Sequence, residues 1–297
     1  MKGQAPVDKR DVREFWNAHP CGAHLSREER GRREFFMDYE AKRYALEPHI
    51  LEVVPFPEGK GKDVLEIGTG LGTDGARWAA EGARYTGVDL TPEATRFASE
   101  NFRVRGLTGR FLNLDAETLP FENGSFDIVY SHGVIHHTPR TERVVSEIHR
   151  VLRPGGRAIV MVYHKSSCNY HVNIMLFRRL GISLLLLPGG ARLARLLTGE
   201  RPEVFEGHLK AFREKGLRYL SRPEFLSANT DGPGNPLSKV YTRRTGRELF
   251  KDFASVKTEV RYLNRRRLPF IGPRLPEPLH DWLSRRWGWH LYIFAQK

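Results

Sequence analysis

Short apolar runs alternate with amphipathic stretches over residues 60–164, and this alternation predicts an α/β core. Runs of about 4–8 apolar residues bounded by turn residues are typical of strands buried in a parallel sheet. Helix patterns over 74–80 and 144–152 separate such runs, so we expect parallel strands joined by helices. The five runs with the strand pattern are 64–67, 85–88, 110–114, 125–131 and 157–163.

The segments on either side of this core have helical patterns. Residues 1–59 predict helices that cover the core, and residues 165–240 interrupt the strand pattern with helix-like stretches. Residues 241–297 then predict a helix at 245–253 and the C-terminal part of the core sheet. Because ligands of open α/β sheets bind at the carboxyl ends of the strands, we interpret 165–240 as a substrate lid there. The remaining predicted ranges are 12–17, 29–44, 48–54, 175–187, 193–197, 255–263 and 289–295.

The turn after the first predicted strand carries glycine at every second position, as Gly68, Gly70 and Gly72. Glycine has no side chain, so a ligand can approach the backbone of such a turn. Glu66 stands two residues before the turn, and Asp89 ends the second strand, where its carboxylate can accept hydrogen bonds from two ribose hydroxyls. The pattern predicts a nucleoside-bearing ligand.

Two details separate this turn from a dinucleotide-binding turn. The fingerprint Gly-x-Gly-x-x-Gly requires glycine where Thr73 stands, and the extra glycine comes one residue early, at Gly72. Glu66 would repel a pyrophosphate, whereas it suits a cationic ligand such as the ammonium group of an amino acid. The turn therefore favours a nucleoside joined to an amino acid over a dinucleotide.

The pattern Glu66-x-Gly68-x-Gly70-x-Gly72 resembles motif I of class I S-adenosylmethionine-dependent methyltransferases. The element order over 60–164 closely resembles the methyltransferase type 11 group, which includes ubiquinone and menaquinone C-methyltransferases and many small-molecule O- and N-methyltransferases; residues 243–297 resemble it more loosely. The resemblance implies an α/β fold with a seven-stranded, doubly wound (Rossmann-like) sheet, an antiparallel last strand, and S-adenosylmethionine as cofactor.

The resemblance also implies a role for residues that follow the strands. Glu66 would bind the ammonium group, Asp89 the ribose, and Asp115 the adenine amino group. Ser131 and His132 would lie below the methyl-bearing sulfur. The other residues implied to contact the cofactor are Gly68, Thr69, Gly70, Gly72, Leu90 and Ala116.

Three histidines follow the fourth predicted strand, where this superfamily often places residues beside the transferred methyl group. One of His132, His136 and His137 could act as a general base, with His136 and His132 favoured, because imidazole titrates near neutral pH. The alternative is that His136 and His137 only pack a short helix, and methyl transfer can also proceed by positioning alone. Zinc binding by these histidines with Cys168 matches no compact zinc motif, so we expect no metal.

The basic charge lies almost entirely outside the core. Residues 165–297 contain 25 Lys and Arg against 11 Asp and Glu, a net charge of +14, whereas residues 1–164 contain 23 against 24. This asymmetry is typical of a protein that meets an anionic acceptor, nucleic acid or an acidic membrane surface, although scattered basic pairs are usually a solvated surface. The basic runs are 178–179, 243–244, 265–267 and 285–286.

Two loops are further candidates. The segment 16–22 predicts a helix end with an anchoring tryptophan, or a lid over substrate, and the loop 231–236 can form one wall of the active site. Polar residues 1–16 predict no secretory signal, and two cysteines are too few for a disulfide framework. The low cysteine count favours a reducing cytoplasm, and no apolar stretch is long enough to span a membrane.

Taken from the residues and the resemblance, the expected function is methyl transfer from S-adenosylmethionine to a small-molecule or lipid-like acceptor, on oxygen, nitrogen or carbon. An RNA methyltransferase is the first alternative because of the basic residues. No Asn-Pro-Pro-Tyr type motif follows the fourth strand, however, which argues against methylation of base amines. A cofactor-binding subunit without catalysis is the second alternative. The oligomeric state stays open.

Overall fold

A computed structural model of the chain describes residues 7–20, 25–185, 187, 189–190, 192–193, 202–265 and 272–297. Its centre is a seven-stranded sheet in the order β3-β2-β1-β4-β5-β7-β6. Strands β1 to β5 are parallel, and β7 is antiparallel to both β5 and β6. The predicted α/β sheet with an antiparallel last strand is therefore confirmed. The strands are β1 (Asp63–Ile67), β2 (Arg84–Asp89), β3 (Arg110–Asn113), β4 (Phe126–His132), β5 (Leu152–Tyr163), β6 (Ser255–Arg261) and β7 (His290–Gln296).

Helices cover both faces of the sheet and continue beyond it. Helix α5 shows why they form here: Thr91 caps it through Ala94 N, Pro92 opens its first turn, and Gly106 ends it at a φ of +68°. The α-helices are α1 (Lys9–Ala18), α2 (Arg33–Leu46), α3 (His49–Val53), α4 (Thr73–Ala80), α5 (Pro92–Arg105), α6 (Thr141–Val151), α7 (Arg179–Leu185), α8 (Pro202–Lys215), α9 (Arg222–Thr230), α10 (Arg243–Leu249) and α11 (Glu277–Trp287).

Several predicted boundaries shift. Strand β5 begins at Leu152 instead of 157, because Leu152 already pairs with Phe126 on β4. The helix predicted at 245–253 is Arg243–Leu249, since Thr242 caps it by a reciprocal hydrogen-bond pair with Thr245. The stretch predicted at 175–187 is a π-helix, Asn169–Arg178, that continues into α7. Of the stretch 193–197, residues 194–197 lie outside the described residues. Helices α5, α8, α9 and α11 have no counterpart among the predicted ranges.

Two apolar clusters fill the two faces of the sheet. One packs β4, β5 and β7 against α6 and the segment after α10, and the other surrounds the fully buried Trp78. A third cluster packs the π-helix, α7, α8 and α9 together and includes Trp289 from the sheet end. A fourth joins α2 to α5 through Leu71, the residue between two glycines of the turn. The N-terminal helices are thus fixed directly over the glycine turn.

Within the described residues, no helix is long and apolar enough to cross a membrane. In the same residues no group of three or more His, Cys, Asp or Glu side chains is arranged to hold a metal ion.

Candidate functional site

A cavity of about 230 Å³ lies at the carboxyl ends of β1, β2 and β4. Parallel register brings these ends together, because Glu66 pairs with Gly87 on β2 and with Tyr130 on β4. Most of the site residues named from the sequence line this cavity. They are Glu66, Gly68, Thr69, Gly70, Asp89, Leu90, Asp115, Ala116 and His132.

The three glycines of the turn all have positive φ, but each serves a different purpose. A Cβ on Gly68 would come within 2.2 Å of the Val134 side chain, and one on Gly72 within 2.8 Å of the Ala98 backbone on α5. A Cβ on Gly70 would meet no atom within 4 Å. Gly70 therefore opens the turn to a ligand, whereas Gly72, which does not line the cavity, permits close packing of α5.

Glu66 is a buried carboxyl group in the cavity wall, and its side chain accepts a hydrogen bond of 2.5 Å from the Tyr85 hydroxyl. Gly75 makes room for this pair, since a Cβ there would stand 2.4 Å from the Tyr85 oxygen. Burial and then the negative charge of Asp74 raise the pKa of Glu66 well above its usual value. A cation placed beside Glu66 would relieve this cost.

Asp74 stays ionised beside it. Burial alone would raise the pKa of Asp74, but the charge of Arg43 and hydrogen bonds from two tyrosines lower it below the ordinary value. Arg43 Nη2 lies 2.8 Å from Asp74 Oδ2, and the hydroxyls of Tyr44 and Tyr130 donate at 3.0 and 2.8 Å. The sequence analysis missed this group, because Arg43 comes from α2 and nothing in the local sequence links the two residues.

The other two acidic candidates lie at the far side of the cavity. Asp89 accepts hydrogen bonds from Gly70 N at 3.3 Å and from the backbone and hydroxyl of Thr91 at 2.9 Å each. Burial raises its pKa. Asp115 accepts from Lys9 Nζ at 2.5 Å. The N-terminal helix α1, which carries Lys9, therefore closes the cavity at the position expected for adenine.

Two hydroxyls of the cavity wall, Thr69 Oγ1 and Thr73 Oγ1, are buried without a hydrogen-bond partner among the described residues. Buried polar groups in folded proteins are nearly always paired, so such atoms in a cavity wall are candidates to contact a polar ligand. They stand in the same turn as Gly70. This end of the cavity suits the charged amino-acid part of a ligand.

Ser131 and His136 do not line the cavity, in contrast to their expected roles. The Ser131 hydroxyl donates to Ile67 O at 3.0 Å, which ties β4 to β1. His136 is fully buried, neither of its ring nitrogens has a hydrogen-bond partner within the described chain, and its ring packs 4.0 Å from that of Tyr163. Burial, followed by the charge of His137, lowers its pKa well below the ordinary value. His136 has the surroundings of a packing residue.

His132 lines the cavity as expected, but its ring is tied to other groups. Its Nε2 lies 3.0 Å from the Tyr292 hydroxyl and its Nδ1 lies 3.4 Å from Arg43 Nη2. Burial and then the charge of Arg43 lower its pKa to about 3. His132 is therefore neutral near pH 7.

His137 is the third histidine of this segment, and the sequence analysis favours His136 and His132 over it as a general base. Its ring lines the cavity, its Nδ1 lies 2.7 Å from Leu237 O, and its Nε2 lies 3.6 Å from Asp231 Oδ2. Of the loop 231–236, Asp231 lines the cavity. Trp16 also lines the cavity and packs 5.0 Å from the His137 ring. Cys21 and Gly22 lie outside the described residues.

A second cavity, also of about 230 Å³, adjoins the first. The two share Glu47, Tyr163, Asp231 and His290 as wall residues. The rest of its wall comes from the π-helix and from the ends of α9, α11 and β6. These residues are Cys168, Asn169, Val172, Asn173, Thr230, Tyr262, Leu263, Asn264, Trp287 and Trp289.

The basic residues of the C-terminal half do not supply the walls of either cavity. In the part of the chain that the structure describes, the first cavity is lined by Lys9 and Arg43 as its only Lys or Arg, and the second by none. Arg178 donates to Asn229 O at 3.1 Å, and Arg243 donates to a backbone carbonyl of α11 at 2.7 Å. Residues 266 and 267 lie outside the described residues.

Comparison with known proteins agrees with this geometry. Residues 65–160 match the family model described as methyltransferase domain. A sterol 4-C-methyltransferase of Caenorhabditis elegans is 34% identical over 118 residues, which are 39% of this chain and 35% of that protein. A phthiotriol/phenolphthiotriol dimycocerosates methyltransferase of Mycobacterium leprae is 41% identical over 99 residues, 32% of this chain and 36% of that protein. The chain thus spans about a third of these relatives.

Solved structures extend the likeness in fold to nearly the whole chain. A protein of Pyrococcus horikoshii matches with a TM-score of 0.51 and 16% identity, covering 95% of this chain and 98% of that one. The [4+2]-cyclase SpnF matches with a TM-score of 0.50 and 16% identity, covering 97% and 92%. At this identity the structures support the fold alone. Residues 65–160 therefore match the methyltransferase domain family, and the relatives that share this region are named as methyltransferases.

Proposed function

We propose that this protein is an S-adenosylmethionine-dependent methyltransferase that acts on a small-molecule or lipid-like acceptor. One observation carries the proposal: a buried carboxyl group, an open glycine turn and Asp89 surround a single cavity within the methyltransferase domain. The carboxyl group of Glu66 suits the amino-acid part of the cofactor, and Asp89 suits its ribose. The glycine turn between them lets the cofactor lie close to the protein backbone.

The residues present fit this cofactor. Glu66 would hold the ammonium group, and the unpartnered hydroxyls of Thr69 and Thr73 would receive the polar end of the methionine part. Asp89 would accept from the ribose hydroxyls, and Asp115 would lie at the adenine edge. Leu90, Ala116 and Leu114, which also line the cavity, would supply the apolar walls around adenine. When bound, S-adenosylmethionine supplies an electrophilic methyl group on a sulfonium.

The acceptor class is inferred from the relatives and from the second cavity. The relatives are named for a sterol, for phthiotriol dimycocerosates and, in a phosphoethanolamine N-methyltransferase of Caenorhabditis elegans that is 35% identical over 108 residues, for phosphoethanolamine. Their names include both C- and N-methylation, so they favour small or lipid-like acceptors without selecting the atom. The second cavity, with its aromatic walls and a few polar groups, has a composition suited to such a molecule.

The proposal can be tested with purified protein and methyl-labelled S-adenosylmethionine. Fractions of lipid and small-molecule extract are incubated with the protein, and labelled products are identified by mass spectrometry. We expect label in a fraction that contains neither RNA nor protein. Ribonuclease-sensitive label would instead favour the RNA methyltransferase alternative.

Asp89→Ala is the control, because it should lose the cofactor while keeping the fold. Tight binding of S-adenosylhomocysteine without label in any fraction would retain cofactor binding and reject methyl transfer. The [4+2]-cyclase SpnF, which has a similar fold, shows that a protein of this architecture can be named for another reaction.

A further inference from the structure

Asp231 stands in the wall that separates the two cavities, at the end of α9. Two donors fix the direction of its carboxylate. The Tyr163 hydroxyl donates to Oδ1 at 2.8 Å, and Asn235 Nδ2 donates to Oδ2 at 3.3 Å. The carboxylate is therefore oriented before any ligand binds, with access to both cavities.

The loop that carries Asp231 is anchored to the segment that carries His137. Lys239 N donates to His136 O at 3.0 Å, and Lys239 Nζ donates to Pro139 O at 2.8 Å. On the other side, Ser238 N donates to Ser227 Oγ of α9 at 2.9 Å. These bonds hold the loop on both flanks of His137, so the distance between its ring and Asp231 is set by the fold.

The hydrogen bonds of His137 determine which of its nitrogens carries hydrogen. Leu237 O can only accept, so Nδ1 at 2.7 Å must be the donor. In the neutral ring, Nε2 then presents a lone pair to Asp231 Oδ2 at 3.6 Å. Two acceptors face each other, and the space between them has room for one proton. The pair is arranged to receive a proton, not to supply one.

The second cavity adds information about the ligand that would deliver this proton. Its walls combine aromatic rings, the amides of Asn169, Asn173 and Asn264, and the carboxyl groups of Glu47 and Asp231. Among its described wall residues there is no Lys or Arg. Negative groups would meet two carboxyls there without a cation, whereas O–H and N–H groups would find acceptors.

We propose that the second cavity holds the methyl acceptor, and that the acceptor presents a hydroxyl or amine to Asp231, which shares the released proton with His137. This inference rests on the proposed function. The acceptor's lone pair forms the bond to the methyl carbon, the carbon–sulfur bond breaks with its electrons passing to sulfur, and the acceptor's proton passes to the Asp231–His137 pair. The reaction is thus O- or N-methylation of a group that carries no negative charge.

The acceptor class is tested first on the wild-type protein, with S-adenosylhomocysteine saturating the first cavity. The probes are benzyl alcohol, benzylamine and benzoate, which share one ring and differ in the polar group. Binding is followed by the fluorescence of Trp287 and Trp289, which line the second cavity. We expect the alcohol or the amine to bind at least about tenfold more tightly than benzoate. Benzoate binding of equal or greater strength, or binding of none of the three, overturns the acceptor assignment.

A blocking variant shows which cavity the probes occupy. Asn173→Phe fills part of the second cavity without touching the first, since Asn173 lines only the second. Probe binding should be lost and S-adenosylhomocysteine binding kept. Probe affinity that is unchanged in this variant places the probes elsewhere and overturns the proposal.

The proton-accepting pair is tested with Asp231→Asn and His137→Gln. Single-turnover methyl transfer should fall by about 10²–10⁴ in each, while the affinity for S-adenosylhomocysteine stays within about threefold. Asp281→Asn, an exposed charge removal on α11, should change neither. Asp231→Glu should recover part of the rate. Wild-type rates in both substituted proteins reject the pair, whereas failure of the wild-type protein to bind S-adenosylhomocysteine rejects the proposed function instead.

A measurement independent of activity completes the test. Nitrogen NMR of the wild-type protein should show His137 protonated at Nδ1 and not at Nε2 when the ring is neutral. Asp231→Asn offers an amide N–H to Nε2 and should shift its resonance. A neutral ring protonated at Nε2 would contradict the geometry on which the proposal stands.

Discussion

Binding of the cofactor should release a proton from Glu66. The carboxyl group is buried against Tyr85 and Asp74, which raises its pKa well above the usual value. It therefore keeps its proton at pH values where an ordinary glutamate is ionised. An ammonium group can be bound well only by the ionised form, so ligand binding and loss of this proton are coupled.

The sign and size of the coupling follow from linkage. The pKa is high without ligand and falls when the ammonium group binds, so binding releases up to one proton below the ligand-free pKa. Affinity should then rise with pH by at most about tenfold, or about 1.4 kcal/mol, per pH unit. The rise should level off once the pH passes the ligand-free pKa. Affinity that falls with rising pH would contradict the assignment.

Calorimetry with S-adenosylhomocysteine measures this coupling directly. Titrations between about pH 5 and pH 8 in buffers of different ionisation enthalpy give the number of protons released. Asp89 also has a raised pKa, so the difference between the wild type and Glu66→Gln isolates Glu66. The variant should bind about 10–100-fold more weakly, since a hydrogen bond to a charged group contributes about 1.5–3 kcal/mol. A variant with the same proton release as the wild type refutes the reasoning.

Four further outcomes are expected. Asp89→Ala should weaken S-adenosylhomocysteine binding by at least about tenfold in calorimetry, through loss of a charged acceptor, while the protein stays folded at the temperature of the titration. His136→Leu should keep turnover within about threefold of the wild-type value, because the ring is buried outside the cavity. A fall in turnover of about 10²-fold or more would instead support His136 as the general base. Gly72→Ala should lower the free energy of unfolding in urea by about 1–3 kcal/mol more than Gly106→Ala. Both glycines have positive φ, but only at Gly72 would the Cβ meet a neighbouring helix, at 2.8 Å. Once an acceptor is known, its KM should not rise with ionic strength, since no Lys or Arg lines the second cavity among the residues described.

The sheet and the cofactor end of the site could be predicted because their signals are local. Each strand is a short apolar run, and parallel strands that start on one side must end on the other, so the residues after them meet at one edge. Glu66, Gly70 and Asp89 follow from that rule. Gly70 and Gly72 look alike in the sequence, and both have positive φ. Only the contacts reveal that Gly70 faces the cavity and Gly72 faces helix α5.

The net charge of a segment did not predict which basic residues line the cavities. The net charge of +14 in residues 165–297 gives the number of basic residues in this segment. The direction of each side chain determines whether it contacts a cavity, another protein group or solvent. Arg178 and Arg243 point at backbone carbonyls, where guanidinium groups satisfy helix ends and loops. By contrast Arg43, from the electrically balanced half, lies in the cavity wall against Asp74. Counting charges by segment cannot separate these cases.

The choice between His136 and His137 shows where sequence reasoning ends and what replaces it. The two neighbours lie in one turn of 3₁₀-helix, where successive side chains point about 120° apart and no longer periodic pattern indicates the inward one. The distinction comes from Asp231, 94 residues away along the chain in a loop whose sequence marks only a turn. Hydrogen bonds from that loop to His136 O and Pro139 O fix it beside His137 alone. A chemically useful histidine is therefore defined here by a distant carboxylate, and removing that carboxylate is the sharpest way to learn whether the histidine matters.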